Sequence, residues 1–517
     1  MVNGDGSFSI STAAFSLLII STSFLPHVSA TSVSTNTQVP PLQWINFSNH
    51  VQGSAPPALK DASISYDPIH GAIVLFGGES AQGIPQSQTF SLDLETLTWS
   101  QPKPANNIFT VPPARSAALS GQDNAASYRN GHIVIGGRAT DGSPLNDVWE
   151  FDYNNQFWSQ VEVSGGPSAR WGAAGGNDPR TSFNSAALSN SFYLAGGFAS
   201  DSTASLSDVW RLDITGTLSA NVQSLKGVWT QLHLTNTSLP TIGGSATGVI
   251  DQSATQAIVA SGGCAKASGS TAACAEGDSF VLTVGSSDNT NTAPGSCPAP
   301  RTGATLALNM NTASTSFASQ VFLLLGTFNS SQWQDGGGLD KGEVDVLDIG
   351  TGSWARILPS PDPSSNGEGV PSPREGAAVF SMTQPISGSI AATDTVVYGG
   401  RDANGTYLNE LWVLRAYNGS VTSSGQHWSG FGNGKLEGGP NASGQGVNIT
   451  YLTSCATQVA QGSGTTSGSG SSSSSPTSTG SPSATSGPTP SATFNRFDTS
   501  TIHKSLAPVS VALILPA

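Results

Sequence analysis

Six times along the 517 residues a short apolar run ends in glycine, usually a pair: AIVLFGG closing at Gly78, HIVIGG at Gly137, SFYLAGG at Gly197, AIVASGG at Gly263, a degraded VFLLLGT at Gly326-Thr327, and TVVYGG at Gly400. Successive first glycines (Gly77, Gly136, Gly196, Gly262, Gly326, Gly399) are 59, 60, 66, 64 and 73 residues apart. A recurrence of this kind means one supersecondary unit copied along the chain, no copy able to bury its apolar face alone. The residues downstream of each glycine repeat as well. LNDVWEFD ends at Asp152, LSDVWRLD at Asp213 and LNELWVLR at Arg415, with looser versions SQTFSLDL and GEVDVLDI, and a further run then carries Trp99, Trp158, Trp229, Trp354 or Trp428. Each copy therefore reads as four strands: one of small residues, one ending in the glycine pair, one with a large aromatic, and one with tryptophan. Only 10% of residues are charged and 60 are glycine, which suits many short strands joined by turns better than long amphipathic helices.

Over roughly residues 42 to 430 this pattern resembles the kelch-repeat β-propellers, and in particular a secreted kelch protein whose propeller is like that of galactose oxidase without its copper site. The resemblance implies an all-β ring of six four-stranded blades, with seven as the runner-up. Blades crowd at the axis and spread at the rim, so side chains must be small inside and bulky outside. The runs SAAL, GAA and GAAVF suit the crowded inner position, the glycine pair allows positive φ and close backbone approach, and tryptophans fill the outer wedge. Ring closure has two readings. PLQWINF at 41–47 is like a tryptophan strand lacking the rest of its blade, as expected of an N-terminal strand that completes the last blade, yet the last copy already has Trp428. Either one of these strands lies outside the ring, or sequence after Gly438 contributes to a partial seventh blade.

The ends of the chain are of another kind. Residues 1–30 read as a cleaved signal peptide, with an apolar stretch Ala13–Leu25 and small residues Val28-Ser29-Ala30 before the cut. Thirteen apolar residues rise only about 20 Å as a helix, short of a bilayer core of roughly 30 Å. The propeller is assigned 31–460. Residues 461–493, uncharged and rich in Ser, Thr, Gly and Pro, read as a disordered O-glycosylated stalk. Residues 494–517 read as a glycolipid-anchor signal, with Ser491 as the attachment residue, a spacer from Phe494 to Lys504 and an apolar terminus. A truncated membrane helix is the competing reading of that tail. The four cysteines allow three connectivities in an oxidising compartment, of which Cys264–Cys274 and Cys297–Cys455 are preferred. Seven Asn-x-Ser/Thr sequons, at Asn46, Asn236, Asn329, Asn404, Asn418, Asn441 and Asn448, fit the same secretory route.

Function is narrowed mainly by exclusion. A net charge of −14 argues against nucleic-acid binding, which needs a clustered basic face. A galactose-oxidase-like copper radical oxidase is the alternative activity, but its ligand set of two His, two Tyr and a Cys joined to a Tyr is missing: His50, His70, His132, His233 and His427 fall in different copies, and every cysteine has a disulfide role. No metal or other cofactor is expected. Asp147, Asp208 and Glu410 recur at one repeat position, which suits a turn or backbone contact better than acid–base chemistry. Arg115, Arg170, Arg301 and Arg374 open the innermost strand of four copies, with Lys60 near that place in the first. In kelch adaptor proteins arginines at similar positions hold acidic partners, so the resemblance implies a candidate ligand-binding ring for a carboxylate or acidic sugar. The plainer reading is that they bond loop carbonyls. The expectation is a monomeric, non-enzymatic extracellular module that binds a protein or glycan and meets the membrane only through its C-terminal anchor.

Overall fold

The computed structural model describes residues 33–459 apart from short internal stretches, of which 178–188 and 425–434 are the longest. The leader, stalk and anchor assignments, with Asn236, His427, Trp428 and Ser491, lie outside the described residues. No helix among the described residues is long and apolar enough to cross a membrane.

Six sheets, antiparallel except for the short outer strands Gln52–Gly53 and Glu162–Ser164 that pair in parallel, form six blades of a propeller. Their innermost strands are Ser63–Asp67, Leu119–Asp123, Ala174–Gly176, Ala246–Gln252, Thr305–Leu308 and Ala378–Ser381, which number the blades one to six. In blade two, Leu119–Asp123, Gly131–Arg138, Pro144–Asp152 and Phe157–Gln160 follow in order from axis to rim. Blade six takes three strands from the end of the ring and its fourth, Leu42–Asn46, from the start, in register from Leu42↔Ala416 to Asn46↔Trp412. The N-terminal tryptophan strand thus closes a six-bladed circle, and its fully buried Trp44 donates its indole N–H to the Gly342 carbonyl at 2.8 Å.

The sequence after Gly438 is no seventh blade. It straps the rim instead: Thr450–Leu452 adds a fifth strand to blade five, and Thr457–Gln458 pairs with Trp333–Gln334. Arg415, buried and paired with Asp394 at 2.8 Å, donates to the carbonyls of Pro440 and Ala442. Both preferred disulfides are present, Cys297–Cys455 fixing this strap and Cys264–Cys274 joining a short loop.

Apolar side chains gather into one cluster at each junction between blades. Trp158 packs on Phe76 of blade one with ring centroids 4.5 Å apart, and Trp99 on Tyr398 of blade six at 5.8 Å. Trp229, Trp354 and Trp44 face the preceding blade in the same way. Each tryptophan buries on the order of 150–250 Å², so these side chains set the wedge that spaces the blades.

Near the axis the backbone does the joining. Asp61, Ala117, Gly172, Gly244, Gly303 and Gly376 all have left-handed φ, between 50° and 66°. The Ala117 amide donates to Asp61 O at 2.9 Å, Gly172 to Ala117 at 2.9 Å, Gly244 to Gly172 at 2.7 Å, Gly376 to Gly303 at 2.8 Å and Asp61 to Gly376 at 2.7 Å. These five bonds form a hoop around the channel that joins the blades at five of their six junctions, all but that between blades four and five. The glycine pairs add a second set. Amides of Gly78, Gly137, Gly197, Gly326 and Gly400 donate to carbonyls of the next blade, at Arg115, Arg170, Ile242, Arg374 and Leu59, over 2.8–3.0 Å. A Cβ on the first glycine would strike that neighbour, as at Gly136, where it would lie 2.7 Å from Arg170 O; one on the second would strike its own inner strand, as at Gly137, 3.1 Å from the Ala118 Cβ.

The degraded fifth copy is shifted by one residue. Its positive-φ pair is Leu325 (58°) and Gly326 (88°), so Gly326 is the second member and leucine fills the first. Gly136→Ala should cost about 2–4 kcal/mol, combining a left-handed Cβ with a clash against fixed carbonyls. Gly142→Ala, also left-handed but with open space around its Cβ, should cost about 1 kcal/mol. Urea unfolding of both variants checks this, and equal losses would contradict it.

Candidate functional site

The four sequence-predicted arginines start the inner strands of blades two, three, five and six, and each is turned into its own blade. Arg115 makes two bonds to the Asp147 carboxylate, at 2.7 and 2.8 Å, one to Gly136 O at 2.9 Å and one to Pro113 O at 3.1 Å. Arg170 repeats this with Asp208 (2.9 Å), Gly196 O (2.9 Å) and Ser168 O (3.0 Å). Arg374 does so with Glu410 (2.7 Å), Gly399 O (3.3 Å) and Ser372 O (2.9 Å). Arg301 pairs with Asp345 and donates to Leu325 O at 3.3 Å. All four are at most 5% exposed. A ligand reaching a guanidinium here would have to displace a carboxylate and a carbonyl.

The recurring acids are thereby explained, and differently from a turn contact. Asp147, Asp208 and Glu410 each receive an arginine together with the indole N–H two residues on, from Trp149, Trp210 and Trp412 at 2.7, 2.8 and 2.9 Å. Burial alone would raise the Asp147 carboxyl, but Arg115 and Trp149 hold it below the usual carboxylate range. Glu410 is held down likewise: burial raises it, and Arg374 and Trp412 outweigh that. Because the carbonyls of Arg115, Arg170 and Arg374 also accept from the preceding blade, each of these residues couples two blades while its side chain caps the glycine turn of its own. In blades one and four Leu59 and Ile242 occupy that backbone place, with Lys60 one residue further on.

A second ring lies one residue outside the hoop. Lys60, Ser116, Trp171, Gly243, Thr302 and Glu375 immediately precede the hoop residues and pair with Glu79, Arg138, Phe198, Cys264, Thr327 and Arg401, each directly after a glycine pair or its equivalent. The adjoining hoop residues Asp61, Ala117, Gly172, Gly244, Gly303 and Gly376 line the axial channel, a cavity of about 250 Å³, together with small residues of the inner strands, which puts the second ring at its mouth. The charged half spans blades six, one and two. Arg138 meets Glu79 at 3.2 Å, the Tyr407 hydroxyl donates to Glu79 at 2.6 Å, Arg401 meets Glu375 at 3.0 Å, Thr327 donates to Glu375 at 2.7 Å, and Lys60 meets Asp61 at 3.5 Å. Burial raises the Asp61 carboxyl against the pull of Lys60, and the charges of Glu79 and Glu375 raise it further. In blade three Trp171 and Phe198 stack at 4.4 Å and 46°, and Arg138 lies 5.7 Å from the Trp171 ring centre, within cation–π range.

Apart from Lys60 and Cys264, none of these mouth residues stands out in the sequence, where they vary from copy to copy. The one signal available was position: the residue after the pair must face the entrance in every copy. Among the described residues no three His, Cys, Asp or Glu side chains gather as they would around a metal ion. His132 is an enclosed core residue, its Nε2 2.9 Å from the Ser63 hydroxyl and its pKa pushed down to about 3 by burial.

Residues 30–177 match the model of the KLHDC2/KLHL20/DRC7 Kelch-repeats domain. Over 146 residues the chain is 24% identical to Kelch domain-containing protein 10 of Rattus norvegicus, covering 28% of this chain and 33% of that one. Over 149 residues it is 31% identical to Adagio-like protein 3 of Oryza sativa subsp. japonica, covering 28% and 20%. The chain thus spans a third or less of the length of the curated relatives it matches. Among solved structures it is similar to YjhT (TM-score 0.41, 13% identity, 69% of this chain and 95% of that one). It is also similar to a novel fungal alcohol oxidase of the AA5 family in complex with copper (TM-score 0.39, 12% identity, 74% and 77%).

Arg374→Ala should lower stability by about 2–4 kcal/mol, since it strands a carboxylate and buried carbonyls. Arg211→Ala, which removes a 40% exposed arginine paired with Asp213, should cost under about 1 kcal/mol. Denaturant unfolding distinguishes them, and an unchanged midpoint for Arg374→Ala would remove the structural role.

Proposed function

We propose that this kelch-repeat propeller is a non-enzymatic binding module that acts outside the cell and takes an uncharged, hydroxyl-rich glycan at its channel mouth. The observation that carries the reading is the pairing there. Lys60, Arg138 and Arg401 are matched by Asp61, Glu79 and Glu375 at contact distance, beside the Trp171–Phe198 aromatic pair. A mouth whose charges are already matched offers little to an anion. Its carboxylate and guanidinium edges still have hydrogen-bonding capacity for hydroxyls, and an indole face packs against the apolar face of a sugar ring. A protein ligand is the second reading, favoured by the kelch match over residues 30–177.

The cell-surface part of the proposal is supported by the sequence alone: an apolar leader, an uncharged stalk and an apolar tail behind small residues at 491–493. The protein is taken as a monomer that meets the membrane through that tail.

Screening the propeller against neutral and acidic oligosaccharides tests the ligand class. Neutral glycans should bind, and Trp171→Ala should weaken them at least tenfold, about 1.4 kcal/mol, with little change in melting temperature. Binding confined to acidic glycans, or unaffected by that substitution, would contradict the reading.

A further inference from the structure

We infer that the protein carries N-linked glycans at Asn329, Asn404, Asn418, Asn441 and Asn448 but not at Asn46, so that sugar covers blades five and six and leaves the arc of blades one and two bare. The inference rests on the extracellular reading above. In the sequence these sequons stand at both ends of the propeller; ring closure brings them together. Asn46 lies on the N-terminal strand of blade six, opposite Trp412. Asn329 follows the fifth glycine turn, Asn404 lies in the loop that delivers Arg401 to the mouth, and Asn418 directly follows the strand Leu411–Tyr417. Asn441 and Asn448 lie on the strap that crosses from blade six to blade five.

The chemistry separates the sites. In N-glycosylation the asparagine Nδ2 forms a bond to the anomeric carbon of a lipid-diphosphate-linked oligosaccharide. The bond from that carbon to the diphosphate oxygen breaks, the lipid diphosphate leaves, and one amide proton passes to base. The product needs an Nδ2 that points to water in the folded chain, with room for a branched sugar. Asn329, Asn404, Asn418, Asn441 and Asn448 are all exposed. Asn46 is half-buried and both polar ends of its sequon are used to close the ring. Its Oδ1 accepts the Ser48 amide at 2.9 Å, its Nδ2 faces the Ser365 hydroxyl at 3.5 Å, and its backbone amide donates to Asp362 at 2.9 Å. The Ser48 hydroxyl accepts the Leu411 amide at 3.0 Å and donates to its carbonyl at 3.3 Å. A glycan on Asn46 would wedge the closing strand away from blade six.

The distribution also gives the mouth a direction. Glycans on Asn329 and Asn404 stand on the two loops that bring Thr327 and Arg401 to the entrance, so they screen it from blades five and six. Access remains over Glu79 and Arg138, on the bare arc. Asn236, outside the described residues, is not assigned.

The test uses the full chain, secreted from a glycosylating host behind a foreign leader that replaces residues 1–30. Enzymatic release of glycans in heavy-oxygen water converts each occupied asparagine to a mass-tagged aspartate, read by peptide mass spectrometry. All five exposed asparagines should be tagged and Asn46 should not. A tag on Asn46, or any of the five left untagged, would overturn the inference. The same chain behind its own first thirty residues tests the secretory reading separately: retention inside the cell would count against that reading while leaving the site assignment to the first arm.

Discussion

Backbone that joins backbone around the axis sets the terms for everything else in this propeller. A hoop of amide-to-carbonyl bonds between blades requires a left-handed residue at the start of each inner strand, and six residues adopt that conformation. The strands it pulls together can carry only small side chains where they converge, and the turn that meets the next blade carries a side chain at its first position only in blade five, at Leu325. The glycine pairs answer both demands, one member approaching the neighbouring blade and the other its own inner strand. Tryptophans at the rim then prevent the sectors from collapsing on one another.

The buried arginines belong to the same logic. A carbonyl that accepts from the preceding blade and a guanidinium that caps the glycine carbonyl of its own blade sit on one residue, so the side chain stiffens the joint that the backbone makes. Its acid partner takes an indole N–H as well, so arginine, aspartate or glutamate, and tryptophan form one unit at the heart of blades two, three and six. Blade five reaches the same end with two arginines, Arg301 and Arg356, around Glu343 and Asp345. With those cations committed, the accessible chemistry of the entrance is left to the variable residues just outside the hoop.

The blade plan was legible because it is written in residues close in sequence: an apolar run, its glycines, and an aromatic strand a few residues on. The two disulfides and the closing role of the Leu42–Asn46 strand join residues far apart, and were within reach because there were only four cysteines to pair and two tryptophan strands, those of Trp44 and Trp428, to choose between. The clamp was only half legible. Arg115 and Asp147 appear as two separate repeated columns, 32 residues apart, and nothing in their spacing says that they are each other's partner. The one-residue shift at Leu325-Gly326 was hidden because leucine is an improbable residue at positive φ, tolerated here by burial among blades five and six. The mouth was least legible, because its residues vary from copy to copy and are united only by the rotation of the ring.

Amide hydrogen exchange at Asp61, Ala117, Gly172, Gly244 and Gly376 tests the dependence on the hoop most directly. These amides border a channel open to water, yet if they hold the blades together they should exchange only when the whole domain unfolds, as slowly as the central strands. Exchange at the rate of surface turns such as that around Gly142 would show that the ring is held by its rim alone.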